Sequence, residues 1–353
     1  MVRISLPKAV TDHAPVEWGS TSLPIRRTER HEVIIDSYWH SGRMSVFFRR
    51  PGDGPVMCDR AEASAILHRL ASAHDIRMRT DLLPERHVIR TETGVRLNCL
   101  EWAGSGAPVL LLHGGALTCH TWDLLCLALG DNFKCFAPDL RGHGESAWAA
   151  SYRIDDFLYD VAAIVAHFGL TQFHLVGMSL GGIIAAHYAA RTGKQVSSLA
   201  LVDVAPEVDF NAVGPARQTL SRSIAHLTLD ELVDASIARG ARGRRDTILY
   251  RFLHMTRIDA DGTMGWAQDP VRSGDYGHYL DKLQELSELA SSFECPVLVV
   301  RGGESGVLTD EKVAAFAQRC ASGSWMTIPG AGHNIQEDQP LALATELAGL
   351  FDR

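Results

Sequence analysis

The sequence predicts an α/β protein whose mostly parallel, doubly wound sheet is covered by helices on both faces. Short and almost continuously apolar runs, such as 108-PVLLLHGG-115 and 173-FHLVGMS-179, alternate with longer helix-like stretches, such as 154–168. Strands without an apolar/polar alternation are typical of parallel sheets buried on both faces, since helices connect successive strands and cover them. The chain has 353 residues, 46% of them hydrophobic, which is enough to bury a large core.

The alternation defines the elements in order. It begins with the strand at 108–115 and a helix near 120–130, and it continues with strands at 133–140, 173–179 and 198–205 and helices at 154–168 and 180–193. It stops between 207 and 290, where stretches such as 218–227 and 280–293 are helix-like and no strand is evident. It resumes with strands at 295–302 and 325–330 and helices at 310–320 and 339–352. The pattern therefore predicts one α/β domain with a helical insertion.

The first part of the chain differs from the rest and matches no motif. The runs 32-EVIIDSYW-39 and 44-MSVFFRR-50 flank a short turn and predict a β-hairpin, and 60–75 has helical periodicity. We expect four segments: an N-terminal extension (1–86), a first core part (87–206), a helical insertion (207–290) and a second core part (291–353). The extension is a candidate small appended domain, a candidate homo-oligomer contact or a cover over the main domain.

Composition argues against several classes of function. The formal net charge is −8 and the lysines and arginines form no extended basic run, which argues against nucleic-acid binding. No stretch approaches the ~18 apolar residues of a membrane helix, and the N-terminus has no apolar run of signal-peptide length. The seven cysteines form no CxxC pair and no zinc-like spacing. We therefore expect a cytoplasmic protein with reduced thiols and no membrane or nucleic-acid partner.

A serine lies in the turn 177-GMSLG-181, between an apolar strand and a helical run. A strand that turns into a helix within a few residues strains the backbone at the serine, and the flanking glycines leave room for neighbouring elements. The hydroxyl would then lie at a helix N-terminus, where amides and the helix dipole stabilise negative charge. The pattern predicts that Ser179 is a nucleophile. The alternative is a capping serine between two packing glycines.

A serine nucleophile needs a base, because its hydroxyl hardly ionises near neutral pH. Among 16 histidines, His333 has the most suitable position, since it follows the last predicted strand in the glycine-rich loop 328-IPGAGHNIQEDQP-340. We therefore expect His333 to act as the base. Structural roles better explain four other histidines, which lie at a strand end, in a turn, inside a strand and on a helix: His113, His143, His174 and His187.

Acyl transfer also needs hydrogen-bond donors for the oxyanion of a tetrahedral intermediate. The amide of Leu180, directly after the serine, is one candidate. The second is expected from 113-HGGAL-117, where two glycines let the backbone approach the same point. We expect the Gly115 amide to donate, with the Ala116 amide as the alternative.

These residues resemble the α/β-hydrolase superfamily, with its chain order of serine, acid and histidine. The resemblance covers roughly 87–353 and rests on the motifs 112-LHGGA-116, 138-PDLRGHGES-146, 177-GMSLGG-182, 296-PVLVVRG-302 and 330-GAGH-333. It implies the α/β-hydrolase fold, a helical lid inserted after strand six, and neither a metal nor an organic cofactor. The segment 262-GTMGWAQDP-270 resembles a lid segment of esterase-like members.

Two carboxylates are candidates for the acid that completes a catalytic triad with Ser179 and His333. The superfamily most often carries it shortly after the glycine that ends strand seven, but the corresponding places after Gly302 hold Ser305 and Gly306. Glu304 is the nearest carboxylate there. Some members carry the acid after strand six, where this chain has Asp203. We favour Asp203, with Glu304 as the alternative, because either could orient and stabilise the histidine.

The resemblance also bears on the reaction. A serine at the turn disfavours haloalkane dehalogenases and epoxide hydrolases, which use aspartate there, and it implies hydrolysis of a carboxylic ester or lactone. Two alternatives are a carbon–carbon bond hydrolase of aromatic-ring degradation and a ligand receptor or pseudo-enzyme on the same fold. Apolar side chains in the insertion favour a small, partly apolar or aromatic substrate. Trp122, Met178 and Trp266 are the candidate substrate-binding residues.

Overall fold

The structure is a computed structural model that describes residues 34–40, 43–49, 56–57, 60–77, 83–209, 223–259, 262–270 and 276–353. In its N-terminal part, the strands β1 (Ile34–His40), β2 (Arg43–Arg49) and β3 (Val56–Met57) form an antiparallel sheet in that order. The helix α1 (Arg60–Ala73) follows. These elements correspond to the predicted hairpin and helix. The role in assembly expected for the extension stays a prediction.

Most of the other strands form one large sheet. In chain order the strands are β4 (Glu85–Arg90), β5 (Arg96–Trp102), β6 (Ala107–Leu112), β7 (Phe133–Pro138), β8 (Phe173–Met178), β9 (Val196–Val202), β10 (Thr256–Ile258), β11 (Met264–Trp266), β12 (Val297–Gly302) and β13 (Gly323–Ile328). Eight of them are ordered β13-β12-β9-β8-β6-β7-β5-β4, while β10 and β11 pair separately. β5 is antiparallel to both of its neighbours, β4 and β7, and the other pairs in the large sheet are parallel. The predicted mostly parallel sheet is confirmed.

Helices connect the parallel strands, as the alternation predicts. The described helices after α1 are α2 (Asp123–Leu129), α3 (Ile154–His167), α4 (Leu180–Thr192), α5 (Leu229–Ala238), α6 (Arg245–Met255), α7 (Tyr276–Leu289), α8 (Asp310–Arg319), α9 (Ile335–Asp338) and α10 (Pro340–Phe351). Of these, α5, α6 and α7 lie in the predicted insertion. The predicted stretch at 218–227 falls largely outside the described residues.

Two apolar cores lie on opposite faces of the large sheet. Successive residues of a strand point to opposite faces, and in β6 Val109 and Leu111 belong to one core while Leu110 and Leu112 belong to the other. Side chains from α1, α2 and α10 contribute to the first core, and those from α3, α4, α7 and α8 to the second. Leu67 of α1 is part of the first core, so the end of the predicted extension packs on the main domain.

The structure contains strands that the sequence pattern did not predict. β4 and β5 read ERHVIR and RLNCLEW, and their charged residues interrupt the apolar signal. β4 carries several of them because it is the exposed edge of the sheet. The predicted boundary after residue 86 falls inside β4. In the insertion, where no strand was evident, β10 and β11 have three residues each. Such short strands show no recognisable period.

Candidate active site

The predicted nucleophile, acid and base follow three parallel strands of the large sheet. Ser179 follows β8, Asp203 follows β9, and His333 lies between β13 and α9. Parallel strands end at the same edge of a sheet, so residues from distant parts of the chain meet there. Backbone hydrogen bonds continue the sheet into these turns. The Ser179 amide donates to the Val202 carbonyl (3.1 Å), and the Asp203 amide donates to the Val300 carbonyl (2.7 Å).

Ser179 has the strained backbone that the turn motif predicts. Its φ is 51° and its ψ is −116°, a region that residues other than glycine rarely adopt. Glycine is required at both flanking positions because backbone atoms of neighbouring residues lie too close for a side chain. A Cβ on Gly177 would lie 2.3 Å from the Gly181 carbonyl oxygen, and a Cβ on Gly181 would lie 2.1 Å from that of Leu112. The prediction of a strained strand-to-helix turn is confirmed.

Asp203 is the carboxylate that contacts His333. Nδ1 of His333 lies 2.7 Å from Oδ2 of Asp203. Because an ionised carboxylate can only accept, Nδ1 carries the proton of a neutral imidazole and Nε2 is the acceptor. The Asp203 side chain is completely buried, whereas that of His333 is 28% exposed. The pair therefore has a buried anchor and an imidazole that reaches an accessible space.

Two further donors hold the Asp203 carboxylate in place. The Gly302 amide donates to Oδ1 (3.1 Å), and the Ser305 hydroxyl donates to Oδ2 (2.5 Å). Ser305 occupies one of the places where the superfamily most often carries its acid. In this chain the hydroxyl at that place donates to the carboxylate of Asp203, which follows the neighbouring strand β9.

Glu304, the alternative acid, lies near the same loop but has a different partner. Its Oε2 is 3.4 Å from Nε of Arg242, and the two side chains are 46% and 60% exposed. No hydrogen bond joins Glu304 to His333 among the described residues. An exposed carboxylate paired with an exposed guanidinium is a poor anchor for an imidazole, since water competes for both groups. The geometry therefore favours Asp203 over Glu304.

The loop after β6 is fixed by the buried His113. The Leu140 amide donates to Nε2 of His113 (2.9 Å), so Nδ1 carries the proton and donates to the Gly114 carbonyl (2.8 Å). Because a trans peptide is planar, the Gly115 N–H points opposite to the Gly114 carbonyl, away from the His113 bond. A Cβ on Gly114 would lie 3.4 Å from Cβ of Ser179. The loop and the nucleophile turn are thus in close contact.

The other histidines weighed from the sequence make structural hydrogen bonds. The partners are the Arg141 carbonyl for His143, the Ser198 hydroxyl for His174 and the Lys282 carbonyl for His187. Burial lowers the pKa of His174 to about 4, and it also lowers the pKa of His187. These histidines, unlike His333, are not part of the cavity that Ser179 lines.

Ser179 and His333 line a cavity of about 290 Å³, a size that suits a small ligand. The loop after β6, the nucleophile turn, the loop after β12 and the helices α5 and α6 all contribute to its walls. The apolar side chains on these walls are Ala116, Leu117, Met178, Ala241, Phe252, Met255 and Val307. The charged side chains are Arg239, Arg242, Arg251, Glu304 and Asp338. The cavity therefore combines an apolar surface with several charged groups.

The structure corrects two of the three candidate substrate-binding residues. Met178 lines the cavity, but Trp122 and Trp266 do not. Trp122 is completely buried in the first core, because it immediately precedes α2 and packs with that helix against the sheet. Trp266 is partly buried against the same core, and its ring centroid lies 6.3 Å from that of Phe252. Both indole side chains pack in or against the first core and do not line the cavity.

A buried polar network beside the cavity was not found from the sequence. Nη1 of Arg251 donates to Oε2 of Glu337 (2.8 Å), and the Thr121 hydroxyl donates to Oε1 (2.6 Å). The Gln336 amide donates to the Thr121 hydroxyl (2.8 Å). Burial raises the pKa of Glu337, while Arg251 and the Thr121 hydroxyl act against that rise. No local pattern distinguishes these residues from ordinary polar positions, since their partners are far apart in the chain.

The described ranges contain no helix that combines the length and apolar character needed to cross a bilayer. None of their His, Cys, Asp and Glu side chains form a group of three or more that could hold a metal ion. Their six cysteines are buried free thiols. The cytoplasmic location stays a prediction.

The chain is similar in sequence to a known protein family and to individual proteins of known name. A family model of the alpha/beta hydrolase fold matches residues 107–340. The chain is 32% identical over 280 residues to the esterase Rv0045c of Mycobacterium tuberculosis, covering 76% of this chain and 90% of that protein. It is 28% identical over 249 residues to a 3-hydroxybutyrate-oligomer hydrolase of Cupriavidus necator, covering 66% and 85%.

The structure of the chain is also similar to solved structures. The crystal structure of the Mycobacterium tuberculosis esterase matches with a TM-score of 0.64 at 28% identity, covering 82% of this chain and 97% of that one. E-2-(acetamidomethylene)succinate hydrolase shares the fold, with a TM-score of 0.69 at 22% identity, covering 77% and 100%. With the family match and the eight-stranded, mostly parallel sheet, these similarities show that the chain belongs to the α/β-hydrolase fold family and is a hydrolase.

Proposed function

We propose that this hydrolase cleaves carboxylic esters or lactones of small, partly apolar substrates through an acyl-serine intermediate. Ser179 is the nucleophile, His333 the base and Asp203 the acid that orients it. The observation that carries the proposal is the position of His333. Its Nδ1 is bonded to a buried carboxylate and its ring lines the same cavity as Ser179. Two relatives that are named an esterase and an oligomer hydrolase support ester chemistry.

In the first half of the reaction, Oγ of Ser179 attacks the carbonyl carbon and its proton passes to Nε2 of His333. The carbonyl π electrons move to oxygen, which becomes the oxyanion of a tetrahedral intermediate. When the intermediate collapses, the bond from carbon to the leaving oxygen breaks. His333 gives its proton to that oxygen, and the alcohol leaves. Asp203 stabilises the imidazolium while it exists.

In the second half, water attacks the acyl-serine and transfers a proton to Nε2 of His333. Collapse of the second tetrahedral intermediate breaks the bond between the acyl carbon and Oγ of Ser179. The serine oxygen takes the proton back from His333, and the carboxylic acid is released. With a lactone, the alcohol and the acid are parts of one product.

The oxyanion donors are the amides of Leu180 and Gly115. Leu180 is the first residue of α4, so its amide has no acceptor within the helix. The Gly115 amide is oriented by its own peptide, whose carbonyl is fixed by His113. Both residues adjoin the cavity or the serine turn. The Ala116 amide, on a residue with a φ of 67°, is the alternative second donor.

We also propose that the insertion 207–290 acts as a lid that sets substrate choice. Ser236 and Arg239 come from α5 or its end, and Arg251, Phe252 and Met255 come from α6. These side chains line the cavity of Ser179. An ester at the serine would therefore contact the insertion as well as the α/β core.

The test is a burst experiment with 4-nitrophenyl acetate and mass spectrometry of the intact protein. We expect a stoichiometric burst of nitrophenol and an acyl adduct on Ser179, both absent from Ser179→Ala. If the wild type hydrolyses no ester, lactone or thioester in a broad panel, a ligand receptor on this fold becomes the better interpretation. If a vinylogous diketone is cleaved much faster than every ester, the carbon–carbon bond hydrolase is favoured instead.

A further inference from the structure

We propose that Arg251 binds a carboxylate group of the substrate, so that the preferred esters carry a free carboxylate close to the ester bond. This inference rests on the proposed esterase function and specifies its substrate class. It assigns Arg251 as a specificity-determining residue that contacts the substrate outside the triad.

The position of Arg251 makes it available to a ligand. The residue lies on α6 and lines the cavity that contains Ser179 and His333. Its side chain is only 9% exposed, so it is held inside the protein and does not extend into solvent. Among the described residues, its hydrogen-bond partner is Glu337, through Nη1. A guanidinium has five N–H donors, and the edge formed by Nε and Nη2 matches the two oxygens of a carboxylate.

The contact with Glu337 orients Arg251 before a substrate arrives. Glu337 is 5% exposed, and its second oxygen accepts from the Thr121 hydroxyl. Thr121 follows the loop of the oxyanion donors, and Glu337 follows the loop of His333. The network therefore fixes Arg251 relative to both parts of the reaction site. A donor that is already immobilised loses less conformational entropy when it binds a ligand.

Stability alone does not account for this buried ion pair. Removing two charges from water is costly, and well-packed apolar side chains often replace such a pair without loss of stability. The pair does keep a charged donor at the wall of a cavity that also carries the apolar side chains of Met178, Phe252 and Met255. In that environment a carboxylate paired with Arg251 would bind far more strongly than it would to an exposed arginine.

The other charged groups around the cavity have different environments. Arg242 is 60% exposed and lies near Glu304. Oδ2 of Asp338 accepts from the Gly332 amide (2.8 Å). Burial raises the pKa of Asp338, and the Gly332 amide and Arg251 act against this rise. Among the described residues that line the cavity, Arg239 and Arg242 are more exposed than Arg251, which is largely buried and has guanidinium donors beyond its bond to Glu337. A neutral ester would leave these donors without a partner, which lowers its binding relative to a carboxylate ester.

The test compares matched pairs of esters that differ in one carboxylate. Mono-(4-nitrophenyl) glutarate and 4-nitrophenyl pentanoate place the difference on the acyl side, and 3-acetoxybutyrate and sec-butyl acetate place it on the alcohol side. For at least one pair, we expect the wild type to show a kcat/KM at least tenfold higher for the charged ester. In the double variant Arg251→Gln/Glu337→Gln that ratio should fall about 10- to 100-fold, the range expected for lost hydrogen bonds to a charged group.

The double variant is chosen because Arg251→Gln alone would leave Glu337 buried and unpaired. The ratio of two substrates is also independent of the fraction of protein that is active. Arg245→Gln is the matched control, since Arg245 is on the same helix but exposed and bonded to Asp230 and Asp234. We expect the control to keep the wild-type ratio within about twofold. A ratio near one in the wild type, or an unchanged ratio in the double variant, would overturn the proposal.

A binding measurement separates this proposal from the proposed function. If neither ester of a pair is turned over, or if Ser179→Ala keeps the turnover, the esterase mechanism is wrong. Calorimetric titration of Ser179→Ala with glutarate then still tests Arg251. We expect binding that weakens at least tenfold when Arg251→Gln/Glu337→Gln is added. Equal binding with and without these substitutions would contradict a carboxylate site at Arg251.

Discussion

His333 donates a hydrogen bond of 2.7 Å to Asp203, although the two residues are 130 positions apart and follow different strands. The contact is possible because β9 and β13 end at the same edge of the sheet, on either side of β12. Glu304, which is closer to His333 in the sequence, instead lies near an exposed arginine. Asp203, which follows β9, is therefore the better candidate for orienting the base.

The roles of the two carboxylates are separable by substitution. Asp203→Asn should lower kcat about 10³- to 10⁴-fold, since an amide cannot stabilise the imidazolium or select the same tautomer. Glu304→Gln should change kcat by less than about threefold, because water already competes for that exposed side chain. Steady-state kinetics with one nitrophenyl ester provides both values. The assignment fails if Glu304→Gln has the larger effect.

Ser305 offers a way to move the acid to the more usual place. Its hydroxyl lies 2.5 Å from the same Asp203 oxygen that accepts from His333, so a carboxylate at 305 would be near the imidazole. We expect Asp203→Asn/Ser305→Asp to recover at least tenfold in kcat over Asp203→Asn alone. Asp203→Asn/Ser305→Asn is the control with the same shape and no charge. Equal rates in the two double variants would show that position 305 cannot supply the acid.

Gly181, two residues after the serine, should contribute strongly to the stability of the fold. A Cβ on Gly181 would lie 2.1 Å from the backbone oxygen of Leu112, and backbone atoms of a central strand cannot move aside easily. Gly181→Ala should therefore lower the free energy of unfolding by about 3 kcal/mol or more. Gly349→Ala is the control, because no atom lies within 4 Å of a Cβ there and α10 should gain up to ~1 kcal/mol. Urea unfolding measures both; a mild effect of Gly181→Ala would contradict the clash.

His174 should make stability depend on pH. Burial lowers its pKa to about 4 in the folded protein, whereas a histidine in an unfolded chain titrates near ~6.5. Between these values the unfolded state binds more protons, so the free energy of unfolding falls as pH falls from about 6.5 to about 4. His174→Gln should weaken this fall, as measured by urea unfolding at about pH 7 and about pH 5.

The matched control for this experiment is His226→Gln, since the His226 side chain is exposed. Its pH dependence should follow that of the wild type. If His174→Gln and His226→Gln lose the same stability between the two pH values, burial of His174 does not govern the acid sensitivity.

Much of the fold and part of the site could be predicted because their signals are local. Apolar strands alternate with helices, and a parallel sheet is the arrangement that buries such strands on both faces. Ser179 is surrounded by the glycines that its turn needs, and these lie within two residues of it. β4 was missed because it is the exposed edge of the sheet, and β10 and β11 because they are too short to show a period. β5 was missed because charged residues near both of its ends interrupt its apolar run.

The sequence by itself determined the α/β class and the strained serine turn, and it supplied the prediction of His333 as base, since each depends on residues that are neighbours in the chain. The tertiary structure decided which carboxylate meets His333, which donor fixes the loop of Gly115, and that Trp122 and Trp266 pack in the core. It also brought Arg251 to Glu337 at the wall of the cavity. These contacts depend on which loops meet at the edge of the folded sheet, and no local pattern of residues encodes that meeting.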